Sequence, residues 1–141
     1  MKRLLAFSFV AALNLTACGQ IGLGARAIPN DPAPVGTIVA HGVFSGLNGH
    51  SMTGAASIYR QTSSGAYWVR LEGIVAPDEA GLQLVARADG AIVFQAALVA
   101  LQGTQNYVTN VTGTPTWNSV TIKSTSNPLT PEYATALLQQ P

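Results

Sequence analysis

The amino-acid sequence predicts an all-β fold, an antiparallel β-sandwich of about eight short strands, with a short C-terminal helix as the open alternative for the last segment. Three observations predict it. From Gly36 onward, short runs alternate apolar and polar residues, the period of a half-buried strand. Breaks containing Gly, Asn, Asp and Ser separate these runs, and each supplies a residue that tolerates positive φ. Eight strands in one flat open sheet would also leave an apolar face in water, which two packed layers bury; a barrel is the near alternative.

Each element follows from the residues in order. Thr37–Phe44 sets Ile38, Ala40 and Gly42 on one face and Val39, His41 and Val43 on the other, so His41 is expected to be a partly buried structural residue. Leu47-Asn48-Gly49 turns the chain into Ala55–Gln61, and Ser63-Ser64-Gly65 turns it into Ala66–Ile74. In that third run Tyr67, Val69 and Leu71 form the buried stripe, with Trp68, Arg70 and Glu72 opposite. Ala76–Gly81 reads as a solvated loop whose adjacent acids, Asp78 and Glu79, lack the spaced ladder of a calcium loop. Asp89-Gly90 joins Leu82–Ala88 to Ala91–Leu101 at hairpin spacing. Alanine and leucine in the latter permit a helix, but Ile92, Val93, Phe94 and Val99 favour a strand. Asn106–Val111 and Asn118–Ser124 follow, separated by Thr112-Gly113. Alternation there places Trp117 with Ser119, Thr121 and Lys123, opposite Val120 and Ile122. The final run, Tyr133–Leu138, competes with a helix opened by Pro131-Glu132.

The chain has 141 residues, which is room for one domain. Residues 1–17 read as a signal peptide: Lys2 and Arg3 precede the apolar stretch Leu4–Leu13, which is too short to remain as a spanning helix. Leu15-Thr16-Ala17-Cys18 resembles the bacterial lipobox, so Cys18 is expected to accept a lipid and become the mature N-terminus. Residues 18–35 are then a Pro- and Gly-rich tether and residues 36–141 the folded domain. The expected location is the bacterial cell envelope, anchored in the membrane without spanning it. Gly19, where an inner-membrane lipoprotein of many Gram-negative bacteria has Asp, makes the outer membrane the default in such a cell.

The chemistry available to such a domain is sparse. Cys18 is the only cysteine, which leaves no thiolate metal site, disulfide or cysteine nucleophile in the domain. Net charge is +1, and Arg60, Arg70, Arg87 and Lys123 are too scattered to form a nucleic-acid patch. No Gly-x-Ser-x-Gly occurs, and the acids show no paired spacing. The expectation is a non-enzyme without metal or cofactor. His50, between Gly49 and Ser51 at a turn, is a candidate ligand contact, against the plainer role of a turn histidine satisfying a neighbouring group. Trp68 and Trp117, both expected to point outward, are candidate contacts to a protein or glycan, against packing under a loop or at the sheet edge.

Gly42-Val43-Phe44, then Gly49-His50-Ser51-Met52-Thr53-Gly54 and Ala55–Tyr59, resemble the opening of the DM-thirteen (electron-transfer DM) domain. Leu98–Leu101 with Gln102–Tyr107, Ser119-Val120-Thr121-Ile122 and Tyr133–Leu137 resemble its later segments in the same order. The resemblance implies a β-sandwich and, for animal members, a redox role carried by a cysteine after the Ser-Val-x-Ile strand. Here Lys123 and Ser124 occupy those positions, and a serine cannot cycle through thiol chemistry. A binding module is therefore the leading expectation. Its rivals are an electron-transfer module with a metal or haem at His50, and an envelope hydrolase.

Overall fold

The computed structural model describes residues 27–127, 129 and 132–141; the expected signal peptide, Cys18 and the first part of the expected tether lie outside them. Among the described residues there are eight strands: β1 (Thr37–Gly46), β2 (Thr53–Arg60), β3 (Tyr67–Val75), β4 (Leu82–Ala88), β5 (Ala91–Ala97), β6 (Gln102–Val108), β7 (Trp117–Ser124) and β8 (Glu132–Leu137). All ladders between them are antiparallel. The C-terminal segment is strand β8, so the helical alternative falls: Tyr133, Ala134 and Ala136 pack into the core while β8 bonds β7 and β1.

The strands form one continuous sheet in the order β5-β4-β7-β8-β1-β2-β3-β6. β1 joins its two halves, because Thr37–Val43 pairs with β2 whereas Phe44–Gly46 pairs with β8. The sheet curls so that the inward faces share one core of residues such as Ile58, Val69, Leu71, Leu84, Val120 and Ile122. Each such side chain contributes about 1.5–3 kcal/mol by leaving water. The two expected layers are therefore halves of a single curled sheet. An open seam remains between the edge strands, lined by Ile92–Gln95 of β5 and by Val108, Thr109 and Asn110.

Registry defines two ends. Thr53, Val75 and Gln102 adjoin one another, as do Leu82 with Ser124 and Lys123 with Glu132, so the β1–β2, β3–β4, β5–β6 and β7–β8 loops share what we call the lower end. The tight turns at Gln61–Ala66 and Asp89–Gly90 lie at the upper end. Asn48 and Asp89 adopt positive φ, 55° and 51°, as residues that reach the left-handed region at low cost.

Three expectations change. Trp117 is buried, 3% exposed, and meets the Tyr67 ring edge-on at 5.3 Å across the core. The reason is a bulge: Arg87 pairs with Ser119 and Ala88 with Trp117, so Asn118 is an extra residue in β7 and returns Trp117 to the face of Val120 and Ile122. His41 is exposed on the outward face of β1 beside Ser57, because the extra residue Val39 reverses the alternation expected of that strand. The run Ala91–Leu101 stops pairing at Ala97. Buried Gln105 organises the turn that follows, accepting from the Val99 and Ala100 amides at 3.2 and 3.3 Å and donating to the Ala100 carbonyl at 2.6 Å.

The last part of the expected tether is fastened down. Asn30 forms a parallel bridge with Thr104, through Asp31 N–H to the Thr104 carbonyl (3.1 Å) and Thr104 N–H to the Pro29 carbonyl (2.8 Å). Asp31 Oδ2 accepts from the Asn106 amide at 2.9 Å, and the Asp31 carbonyl accepts from Arg70 Nη1 at 2.9 Å. This strap runs from the lower end toward the start of β1 and covers part of the β6 edge, whose unpaired backbone groups would otherwise be open to association. It needs Gly103: at φ 103° a Cβ would collide with the Pro29 carbonyl oxygen and the Ile28 side chain.

Candidate functional site

At the lower end, the Asn48-Gly49 turn closes with the His50 amide donating to the Leu47 carbonyl at 2.9 Å, while the Leu47 amide donates to the Tyr133 carbonyl at 2.8 Å. That double tie lays the His50 ring on Tyr133, with centroids 3.8 Å apart and planes 25° apart. Tyr133 is buried and its hydroxyl donates to Glu79 Oε2. Ser124 Oγ donates to Glu79 Oε1 at 3.0 Å and accepts from the Ser126 and Asn127 amides. The Glu79 carboxylate raises the Tyr133 pKa, because a phenolate beside it would be repelled and would lose the donated hydrogen bond; burial adds in the same direction.

His50 thus stacks on Tyr133 and also borders an open depression of ≈ 360 Å³ with Met52, Val75 and Pro77. The stacking settles how its ring is held. The carboxylate that a sequence reading sees as solvated, Glu79, is half-buried and ties the β3–β4 loop to β7 and β8, whereas its neighbour Asp78 is exposed. Ser124, buried at 4% exposure, already donates one bond and accepts two, an anchoring role for which its hydroxyl is well suited.

A second constellation lies on the outward face of β1, β2, β3 and β6. Cross-strand pairing aligns Ile38, Tyr59, Trp68 and Val108 in one row near the upper end. Ile38 and Val108 are exposed, and Trp68 is half-exposed. Tyr59 is 9% exposed yet stands outside the core cluster. The next row is polar: His41, Ser57, Arg70 and Asn106. Arg70 is held on several sides, its Nε donating to Glu72 Oε1 at 2.8 Å and its Nη1 to Asn106 Oδ1 at 3.0 Å and the Asp31 carbonyl. An aromatic row flanked by fixed polar groups can stack on a flat apolar surface while hydrogen-bonding its edges.

The three residues singled out from sequence do not form one site. His50 sits at the lower end, Trp68 on the outward face and Trp117 in the core. Cys18 lies outside the described residues. Sequence reasoning missed Tyr133, Glu79 and Asp31, whose partners are distant along the chain; the tyrosine opening the last strand was the one local signal. Among the described residues, no three His, Cys, Asp or Glu side chains group as a metal site would require. Comparison with protein-family models, with curated proteins and with solved structures found no match to this chain.

Proposed function

We propose that this chain is a bacterial envelope lipoprotein, anchored through Cys18, whose non-catalytic β-sandwich-like body presents its outward β1–β2–β3–β6 face to a protein or glycan partner. The observation that carries the reading is the cross-strand row Ile38, Tyr59, Trp68 and Val108 beside the polar row containing Arg70 and Asn106. Large amphipathic rings supply much of the energy of recognition, and polar groups already held in place lose little freedom on binding. The resemblance to the DM-thirteen domain is compatible with this body, but Ser124 offers no thiol for that family's redox role.

Two measurements test the reading. The mass of the mature protein, compared with a Cys18→Ala variant, is expected to show acylation only where the cysteine is present. Crosslinking in the protein's own cells is expected to recover a specific envelope component with the unaltered chain and to lose it with Trp68→Ala; undiminished recovery from that variant defeats the assignment of the face.

A further inference from the structure

The chain leaves the body at its lower end. Ala27 and Ile28 border a depression of ≈ 560 Å³ together with the loop Leu98–Gln102 and Asp78–Ala80. Immediately after them, the strap bonds to Thr104 fix the backbone, so the chain is fastened to the body from Pro29 onward, ahead of the expected boundary at Val35. From Cys18 to Ala27 the chain can span at most about 30 Å, at roughly 3.3–3.6 Å per residue. The same end carries exposed apolar side chains from separate segments: Ile28 at 64%, Val75 at 49%, Val99 at 48% and Leu129 at 91%. Its loops contain no Lys or Arg.

We propose that this lower end is a membrane-docking surface, with Ile28, Val99 and Leu129 resting at the boundary between lipid headgroups and acyl chains. The inference rests on the lipoprotein reading and adds an orientation to it. A lipid at Cys18 holds the point of chain exit near the bilayer, and the exposed apolar side chains around that exit gain by leaving water, while the exposed Asp78 beside them stays at the level of the headgroups. The loops carry no basic side chain and the basic residues nearest them are Arg26, just before Ala27, and Lys123, opposite Glu132, so the contact depends chiefly on apolar burial and little on anionic lipid. The Trp68 row, near the opposite end, is then held at a distance from the membrane.

The test uses the full lipidated chain in vesicles of phosphatidylethanolamine and phosphatidylglycerol. An environment-sensitive fluorophore is attached through Val99→Cys or, at the upper end, through Thr62→Cys; acylated Cys18 has no free thiol to compete. Lipids bearing a nitroxide near the headgroup should quench the Val99 label several-fold more than the Thr62 label. Quenching should persist when phosphatidylglycerol is removed or salt is raised. If the protein floats with vesicles and both labels are quenched alike, the body hangs without docking and the inference fails. An apolar emission shift at Val99 without lipid quenching would instead mean that another protein surface, such as a second copy, covers the patch, and would also overturn it. A chain that neither carries acyl groups nor floats defeats the lipoprotein reading itself, an outcome separate from the other two.

Discussion

The Tyr133 hydroxyl donates to the Glu79 carboxylate, and through that bond the first residues of the last strand are fastened to the loop between β3 and β4. The same carboxylate accepts from Ser124, so a single acid joins the β3–β4 loop to two consecutive strands that lie 45 and 54 residues further along the chain.

This arrangement predicts a pH dependence. Tyr133 titrates above the ordinary tyrosine range because Glu79 accepts from it, and Tyr107 does so chiefly because burial disfavours its phenolate. Raised values mean that the folded chain keeps protons the unfolded chain releases. Their stabilising contribution is therefore full below about pH 10 and declines as pH rises through the raised values. Urea midpoints should be level on the neutral side of that range and fall on the alkaline side. In an ultraviolet phenolate titration, Glu79→Gln should move one tyrosine downward; an unchanged curve would contradict the assigned cause.

The two tryptophans should separate sharply in stability. Trp117→Ala empties a core position against Tyr67 and is expected to cost about 3–5 kcal/mol. Trp68→Ala, on the outward face, should cost much less. Denaturant unfolding of both variants checks this, and comparable losses would mean that Trp68 is as deeply packed as Trp117.

The strap makes its own prediction. Asp31→Ala removes the acceptor of the Asn106 amide and should cost about 1 kcal/mol. Hydrogen exchange should accelerate at Asn106 and Thr104 before it does so in the central strands. Gly103→Ala should produce the same local pattern more strongly, since an added Cβ meets the strap backbone directly. Unchanged protection at both amides would show that the strap does not shield this edge.

Arg70 offers a further test, because its fixed bonds run to the strap, to β6 and to its own strand. Arg70→Lys keeps the charge but loses the planar fork that reaches Glu72, Asn106 and Asp31 at once. It should lose about 1.5–3 kcal/mol in denaturant unfolding, the scale of hydrogen bonds to a charged group. A loss below ~0.5 kcal/mol would identify the site as an ordinary exposed ion pair.

The number of strands and the place of most of them were legible because alternation and turn residues are local properties, and the Leu82–Ala88 and Ala91 hairpin begins and turns where Asp89-Gly90 indicates; the sixth strand was not, since it was expected over Asn106–Val111 and runs over Gln102–Val108. The faces were legible only as far as the first irregularity. One extra residue, Asn118, reverses Trp117, and Val39 does the same for His41; neither bulge has a sequence signature comparable to that of a turn. The site was less legible still. Glu79 looks like a loop acid until Tyr133 and Ser124 arrive from the other end of the chain, and Asp31 looks like linker until β6 supplies its amide. Proline spacing suggested stiffness, but an open sheet edge captured the segment.

The division of β1 between β2 and β8 has a consequence for how the molecule is assembled. The strand that begins the sheet cannot complete its pairing until the strand that ends it has emerged. Closing so wide a loop is slow relative to forming neighbouring hairpins. A chain delivered N-terminus first would therefore carry separate, incomplete halves, and acquire its final shape only when the last strand locks them together.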